Sequence, residues 1–130
     1  MIVGELAFLS GFGPRDQSGA PIVGLVGAEF DLMASQAIAR EIARTMLSAL
    51  QEALGDLDRI RQVARVTGML ACTDGFTQHP QVLDGASQAL IEILGPERGA
   101  HARMAYGVAS LPHGSPMAID CVCQVRDASR

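Results

Sequence analysis

The stretch His101-Ala102-Arg103-Met104-Ala105-Tyr106-Gly107-Val108 decides the fold of this chain. Its side chains alternate between two faces, because successive side chains of a β-strand point to opposite sides. One face carries His101, Arg103, Ala105 and Gly107, and the other carries Ala102, Met104, Tyr106 and Val108. Residues 117–125 alternate in the same way. The sequence therefore predicts two strands at this end of the chain, joined by a loop over residues 111–116.

Two amphipathic helices are predicted upstream of these strands. Apolar residues recur at intervals of three and four over residues 32–54, which places them on one stripe of a helix. Asp31 can cap its first turn, and Gly55 can end it. A second stripe begins at Val82 and is stopped by Gly95-Pro96.

Three further strands complete the predicted order. Residues 6–10 form a short apolar run closed by Gly11, residues 22–26 form a weaker one, and residues 63–71 are rich in β-branched side chains. The order is β-β-α-β-α-β-β, which predicts one α+β domain over residues 1–130, with two helices on one face of the sheet.

The charge balance excludes several classes of function. The 10 basic residues are all arginines, against 14 acidic residues, for a net charge of -4. Without lysine the chain has no Schiff-base lysine and no P-loop lysine. An acidic chain with few aromatic residues offers little surface to track phosphates, which argues against nucleic acid as the main ligand.

The cysteine count and the apolar content bear on location and assembly. Three cysteines do not form a disulfide framework, so a reducing, cytoplasmic compartment is expected. No apolar run is long enough to span a membrane, and the first residues lack the features of a signal peptide. Hydrophobic residues make up 48% of the chain, which suggests that some are buried against another subunit.

Arg103 is the most suggestive candidate for ligand binding. A guanidinium among small and apolar neighbours is costly to bury unpaired, and its planar fork suits a carboxylate. The alternatives are an internal salt bridge or a solvated strand face. His101 could line the same pocket or cover the sheet surface, whereas Ala105 could offer only its backbone amide and the space beside it. Tyr106 points the other way and is expected to pack.

The remaining reactive side chains do not form a recognisable site. Cys121 and Cys123 share a face without further ligands, so buried, inert thiols are expected rather than a metal site. Cys72, at a strand end, could be reactive, but no neighbour in sequence would lower its pKa. The chain has no G-x-S-x-G motif and no complete phosphate loop. We expect no metal and no cofactor.

Several stretches together resemble the Rid (YjgF, or L-PSP endoribonuclease) family of small deaminases of reactive intermediates. They include residues 8–11, 54–60 and 76–87, and above all residues 101–112, which match the pattern H-A-R-x-A-x-G-V-x-x-L-P at every fixed position. The pattern is typical of the longer-chain branch of the family. The resemblance implies a chorismate-mutase-like fold assembled as a homotrimer, with ligands in clefts between subunits.

The resemblance also assigns roles to residues. Arg103 falls on the arginine that holds the substrate carboxylate, and Ser10 and Gly11 would line the same cleft. Asp84 falls where many relatives carry Asn, and Ala105 where the best-known deaminases carry Cys. The site implied is thus Arg103, Ala105, Ser10, Gly11 and Asp84 around a small carboxylate.

Two departures bear on catalysis. Active members carry a glutamate in the final strand, and Ala118 stands in its place, with Asp120 two residues on as the one acid that could compensate. Relatives also have a further segment before the first strand, so the pocket is more open here or the start is placed late. The first hypothesis is an imine or enamine deaminase using Arg103 and Asp120. The alternative is a non-catalytic, carboxylate-binding trimer, with ribonuclease activity ranked last.

Overall fold

The computed structural model describes residues 1–127 as two helices on one face of a five-stranded mixed sheet. The strands are β1 (Ile2–Val3), β2 (Leu6–Phe12), β3 (Ile60–Ala71), β4 (Ala102–Val108) and β5 (Met117–Val125). The helices are α1 (Leu32–Leu54) and α2 (His79–Leu94), with short 3₁₀ turns at Leu57–Arg59 and Pro112–Gly114. The predicted α+β class, with two helices on one face of the sheet, is confirmed, and the predicted elements are present except for one strand.

The sheet has the order β1-β2-β5-β3-β4. β3 pairs with β4 in parallel, and the other pairs are antiparallel. A parallel pair needs a long crossover, and α2 supplies it between β3 and β4. β4 is therefore an edge strand that lies close to α2, and this position creates the candidate site.

The strand predicted over residues 22–26 is wrong, and a strand that was not predicted, β1, takes its place in the order. Residues 22–26 form a loop in which Val26 alone makes isolated bridges, to Phe30 and Cys72. Gly24 has a φ of 146°, outside the range of a strand, and its amide donates to the Gly114 carbonyl. The extra strand is instead Ile2–Val3, which pairs with the start of β2 through a turn at Gly4.

The helix boundaries follow the predicted caps. The Asp31 carboxylate accepts a 2.8 Å bond from the Ala34 amide, and Gly55 ends α1 with a φ of 87°. A left-handed residue at this position is the usual role of glycine.

The core lies between the helices and one face of the sheet. α1 buries Ile42, Met46 and Leu50 there, and each such side chain stabilises the fold by about 1.5–3 kcal/mol. The alternate residues of β5, including Cys121 and Cys123, face the same layer and are buried as predicted.

Two glycines set the spacing of the core layers. At Gly85 a Cβ would lie 2.1 Å from the Gln36 carbonyl oxygen, so α2 contacts the backbone of α1 directly. At Gly68 it would lie 2.6 Å from both methyl groups of Leu83. Both glycines allow α2 to sit close enough to α1 and the sheet for its side chains to reach β4.

Candidate functional site

Arg103 lies on the face of β4 that looks toward α2, where it meets two side chains of that helix. Its Nη1 donates to Asp84 Oδ1 at 2.9 Å and to Ser87 Oγ at 3.1 Å. The side chains of Arg103 and Asp84 are 24% and 46% exposed. The predicted ligand residues Arg103 and Asp84 are therefore in direct contact, and the internal salt bridge that the sequence left open is present.

His101 orients Ser87 and through it Arg103. Nδ1 of His101 lies 2.6 Å from the Gly99 carbonyl oxygen, and Nε2 lies 2.8 Å from Ser87 Oγ. Because a carbonyl only accepts, Nδ1 carries the proton in the neutral ring and Nε2 accepts from the Ser87 hydroxyl. The hydroxyl oxygen then accepts from Arg103. His101 is a positioning residue at the base of the site.

The guanidinium is held by one nitrogen, and its other edge remains available. Both of its hydrogen bonds come from Nη1, and within residues 1–127 neither Nε nor Nη2 has a partner. These two nitrogens form the fork that binds a carboxylate with two parallel bonds. The guanidinium is thus fixed in orientation, with this fork open and the negative charge of Asp84 beside it.

Ala105 lies on the same face of β4 as Arg103, partly buried and packed against the core. Its neighbour on β3 is Gly68. The next position along this face, formed by Ala105 and its β3 partner Gly68, therefore carries no bulky side chain. The opposite face of β4 presents Met104 and Tyr106, which are 48% and 42% exposed. The predicted alternation is confirmed.

The other predicted site residues lie elsewhere in the chain. Ser10 and Gly11 are on β2, three strand spacings from β4, or about 14 Å. Gly11 and Ala118 line a different hollow. Asp120 is on β5, and the buried residues Ile119 and Cys121 beside it place its side chain on the face away from the helices. Within one chain these residues do not meet Arg103, so a shared site remains a prediction about the assembled protein.

Two side-chain contacts were not predicted from the sequence: those of Ser87 with Arg103 and His101, and that of His79 with Cys72. Ser87 follows Asp84 by three residues, which places both side chains on one side of a helix. This spacing could have predicted that Ser87 lies beside Asp84. His79 Nε2 lies 3.5 Å from Cys72 Sγ and packs edge-on against Phe76, a pairing that only the fold reveals. Burial and the Asp74 charge raise the pKa of Cys72. This thiol is therefore protonated at neutral pH.

Two features of the described residues bear on other functions. Residues 1–127 bring no three His, Cys, Asp or Glu side chains together as metal ligands. In the same residues neither helix has the length and hydropathy needed to cross a bilayer.

Comparison with known proteins matches this chain to one family. The family model described as "YjgF/chorismate mutase-like, putative endoribonuclease" covers residues 1–125. The Trypanosoma cruzi protein TCP17 is 35% identical over 119 residues, which span 92% of this chain and 74% of that protein.

Two solved structures share both fold and sequence similarity with the chain. Atu1372 of Agrobacterium tumefaciens, described as of unknown function, is 35% identical with a TM-score of 0.91, over 97% of this chain and 81% of its own. A "putative endoribonuclease" of Shewanella oneidensis is 32% identical with a TM-score of 0.90, over 96% and 82%.

Proposed function

The chain belongs to the YjgF/chorismate mutase-like family, and on that premise we propose that it hydrolyses small 2-imino or enamine carboxylic acids to keto acids and ammonia. The observation that carries the proposal is the Arg103 guanidinium, fixed through Nη1 by Asp84 and Ser87 while Nε and Nη2 have no partner in residues 1–127. This pre-oriented fork matches the carboxylate that every such substrate carries.

The proposed reaction needs little machinery beyond positioning. Arg103 binds the carboxylate, and its charge stabilises the anionic substrate. Water adds to the imine carbon, the tetrahedral adduct expels its nitrogen as ammonia, and the carbon keeps the oxygen as the keto group. An enamine first takes a proton on carbon and loses one from nitrogen, which converts it to the imine. Because imines also hydrolyse in water, holding the substrate beside an oriented water is the main contribution of the protein.

We further propose that the chain forms a homotrimer in the cytoplasm, with the ligand in a cleft between subunits. The sheet face away from the helices supports the assembly. On the edge strand of that face Met104 and Tyr106 are exposed, and Leu6 and Phe8 are exposed on β2. The two pairs lie at opposite sides of the same sheet face, and exposed apolar side chains grouped on one face are typical of interaction surfaces. The three free cysteines fit a reducing compartment.

A second candidate function is binding without catalysis. Ala118 stands where active relatives carry a glutamate, and Asp120 lies on the sheet face opposite Arg103. In one subunit the carboxylate in contact with Arg103 is that of Asp84, which the ion pair engages. A protein that keeps the anchor and lacks the water-orienting acid would bind a small keto or amino acid as a sensor.

The test is a single assay with three proteins. An amino-acid oxidase generates 2-iminopropanoate in the presence of wild type, Arg103→Ala or Arg61→Ala, and ammonia release is followed. Arg61 is an exposed arginine on β3 and serves as the matched control. We expect faster release with wild type and Arg61→Ala, and the uncatalysed rate with Arg103→Ala.

Two results would contradict the deaminase proposal. One is that wild type does not change the rate of ammonia release from freshly generated imino acids of several side-chain lengths. If calorimetry still detects keto-acid binding, that result supports the binding function. The other is acceleration that survives in Arg103→Ala. Before the assay, sedimentation measures the mass of the protein in solution. A mass equal to one chain would rule out the proposed cleft between subunits.

A further inference from the structure

Ser87 on α2 and His101, just before β4, form a pair whose chemistry the proposed deaminase reaction does not use. Ser87 Oγ lies 2.8 Å from His101 Nε2, and His101 Nδ1 lies 2.6 Å from the Gly99 carbonyl oxygen. Because that carbonyl holds the Nδ1 proton, Nε2 is the nitrogen that accepts from the Ser87 hydroxyl. A hydroxyl, a base within hydrogen-bond distance and a group that orients the base are the parts of a nucleophilic site.

Arg103 adds a positive charge beside the same hydroxyl. Its Nη1 donates to Ser87 Oγ at 3.1 Å and to Asp84 Oδ1 at 2.9 Å. Donation to Oγ stabilises the negative charge that develops there as the hydroxyl proton moves to His101. A hydroxyl oxygen has two lone pairs, so one of them is left to attack a carbonyl carbon. Nε and Nη2 of Arg103, which have no partner in residues 1–127, are donors for the oxyanion that then forms.

The pair is accessible from solvent. Ser87 and His101 are partly exposed, and the Arg103 side chain is 24% exposed. Within residues 1–127 the bond from Ser87 to His101 is the only one between a hydroxyl and an imidazole. It arises from the packing of α2 over β4 and not from a sequence motif, and nucleophilic sites of this kind are recognised by geometry rather than by position in the sequence.

We propose that Ser87 and His101 form a second catalytic site, which hydrolyses short-chain carboxylic esters through an acyl-serine. The Ser87 oxygen bonds to the ester carbonyl carbon as its proton passes to His101 Nε2. The tetrahedral adduct expels the alcohol, which takes that proton, and the acyl group stays on Oγ. Water then attacks the acyl carbon, its proton passes through His101 to Oγ, and the carboxylic acid leaves. The net reaction consumes ester and water and yields acid and alcohol.

The polar surroundings of the hydroxyl define the class of acyl group. Ser87 Oγ contacts an imidazole and a guanidinium, and the Asp84 carboxylate is bound to the same guanidinium. A long alkyl chain gains free energy only where it is buried against apolar surface, so these contacts favour a short acyl group. The reaction involves no imino acid and does not rest on the proposed deaminase activity.

The test treats the full chain with a small alkyl fluorophosphonate, which bonds to the oxygen of an activated serine as fluoride leaves. Mass spectrometry of proteolytic peptides then locates the adduct, which we expect on Ser87 of wild type. His101→Gln keeps the hydroxyl and removes the base, so it should slow adduct formation by at least about a hundredfold. Turnover of 4-nitrophenyl acetate should fall in parallel, and wild type should turn over 4-nitrophenyl octanoate more slowly than the acetate.

Two matched variants control for other serines and histidines. Ser48→Ala and His113→Gln change exposed residues of α1 and of the 3₁₀ turn, and both should form the adduct at the wild-type rate. The proposal is overturned if folded wild type takes no adduct on Ser87, or if folded His101→Gln takes it as fast as wild type. Circular dichroism establishes folding before each comparison. Because ammonia release is not measured, failure here leaves the deaminase proposal standing, and failure of that proposal leaves this one standing.

Discussion

Replacing Asp84 with Asn should strengthen the binding of a small keto acid at Arg103. The amide oxygen can still accept the bond that Nη1 donates to Oδ1 at 2.9 Å, so the guanidinium keeps its orientation. What is removed is a negative charge next to the place where the ligand carboxylate would lie. The change thus separates the orienting role of Asp84 from its charge.

The size of the effect follows from the geometry of the pair. Two carboxylates about 6 Å apart repel by roughly 3 kcal/mol at an effective dielectric constant of about 20. Because the Asp84 side chain is 46% exposed, solvent and salt screen this repulsion, and we take about 1 kcal/mol. That corresponds to a dissociation constant about fivefold lower in Asp84→Asn.

The assay is calorimetric titration of 2-oxopropanoate into wild type, Asp84→Asn and Glu92→Gln. Glu92 pairs with Arg40 farther along α2, so its variant makes the same change in net charge away from the site. We expect tighter binding in Asp84→Asn alone. Equal or weaker binding there would mean that Asp84 assists the ligand or that the ligand does not contact Arg103, and either result contradicts this prediction.

Three further predictions concern the site and its support. Ser87→Ala removes one of the two anchors of Arg103, and we expect a loss of about 1 kcal/mol in urea unfolding together with weaker keto-acid binding; unchanged values for both would contradict its orienting role. Gly85→Ala should destabilise the fold by about 3 kcal/mol, because its Cβ meets the α1 backbone. Gly75→Ala, with nothing within 4 Å, is the matched control, and similar unfolding midpoints would count against the packing argument. The raised pKa of Cys72 keeps its thiolate scarce at pH 7, so a thiol reagent should label it slowly at pH 7 and faster as the pH rises, whereas the two buried thiols of β5 should react only after denaturation.

Much of the fold was accessible to sequence reading because its signals are local. The alternation in β4 and β5 and the caps at Asp31 and Gly55 depend on neighbours along the chain, and they appear in the structure as predicted. β1 has two residues and no pattern of its own, so only its pairing with β2 defines it. The strand predicted over residues 22–26 has strand composition, but contacts distant in sequence hold it as a loop.

The candidate site was accessible only in part, for the same reason. Arg103 was recognisable from its isolated charge, and the family resemblance added Asp84, but their contact needs α2 packed over β4. Sequence alternation separated the two faces of β5 without showing how they relate to those of β4. The register of both strands with β3 fixes that relation, and it places Asp120 and Arg103 on opposite faces of the sheet. Whether a neighbouring subunit brings them together depends on the assembly.

Whether Arg103 holds a ligand carboxylate can be measured directly. Calorimetry would compare 2-oxopropanoate with its uncharged amide, 2-oxopropanamide, on wild type and on Arg103→Ala. We expect wild type to bind the acid and not the amide. Arg103→Ala should bind the acid at least about tenfold more weakly, because it loses a charge-assisted pair. Undiminished binding of the acid to a folded Arg103→Ala would contradict it.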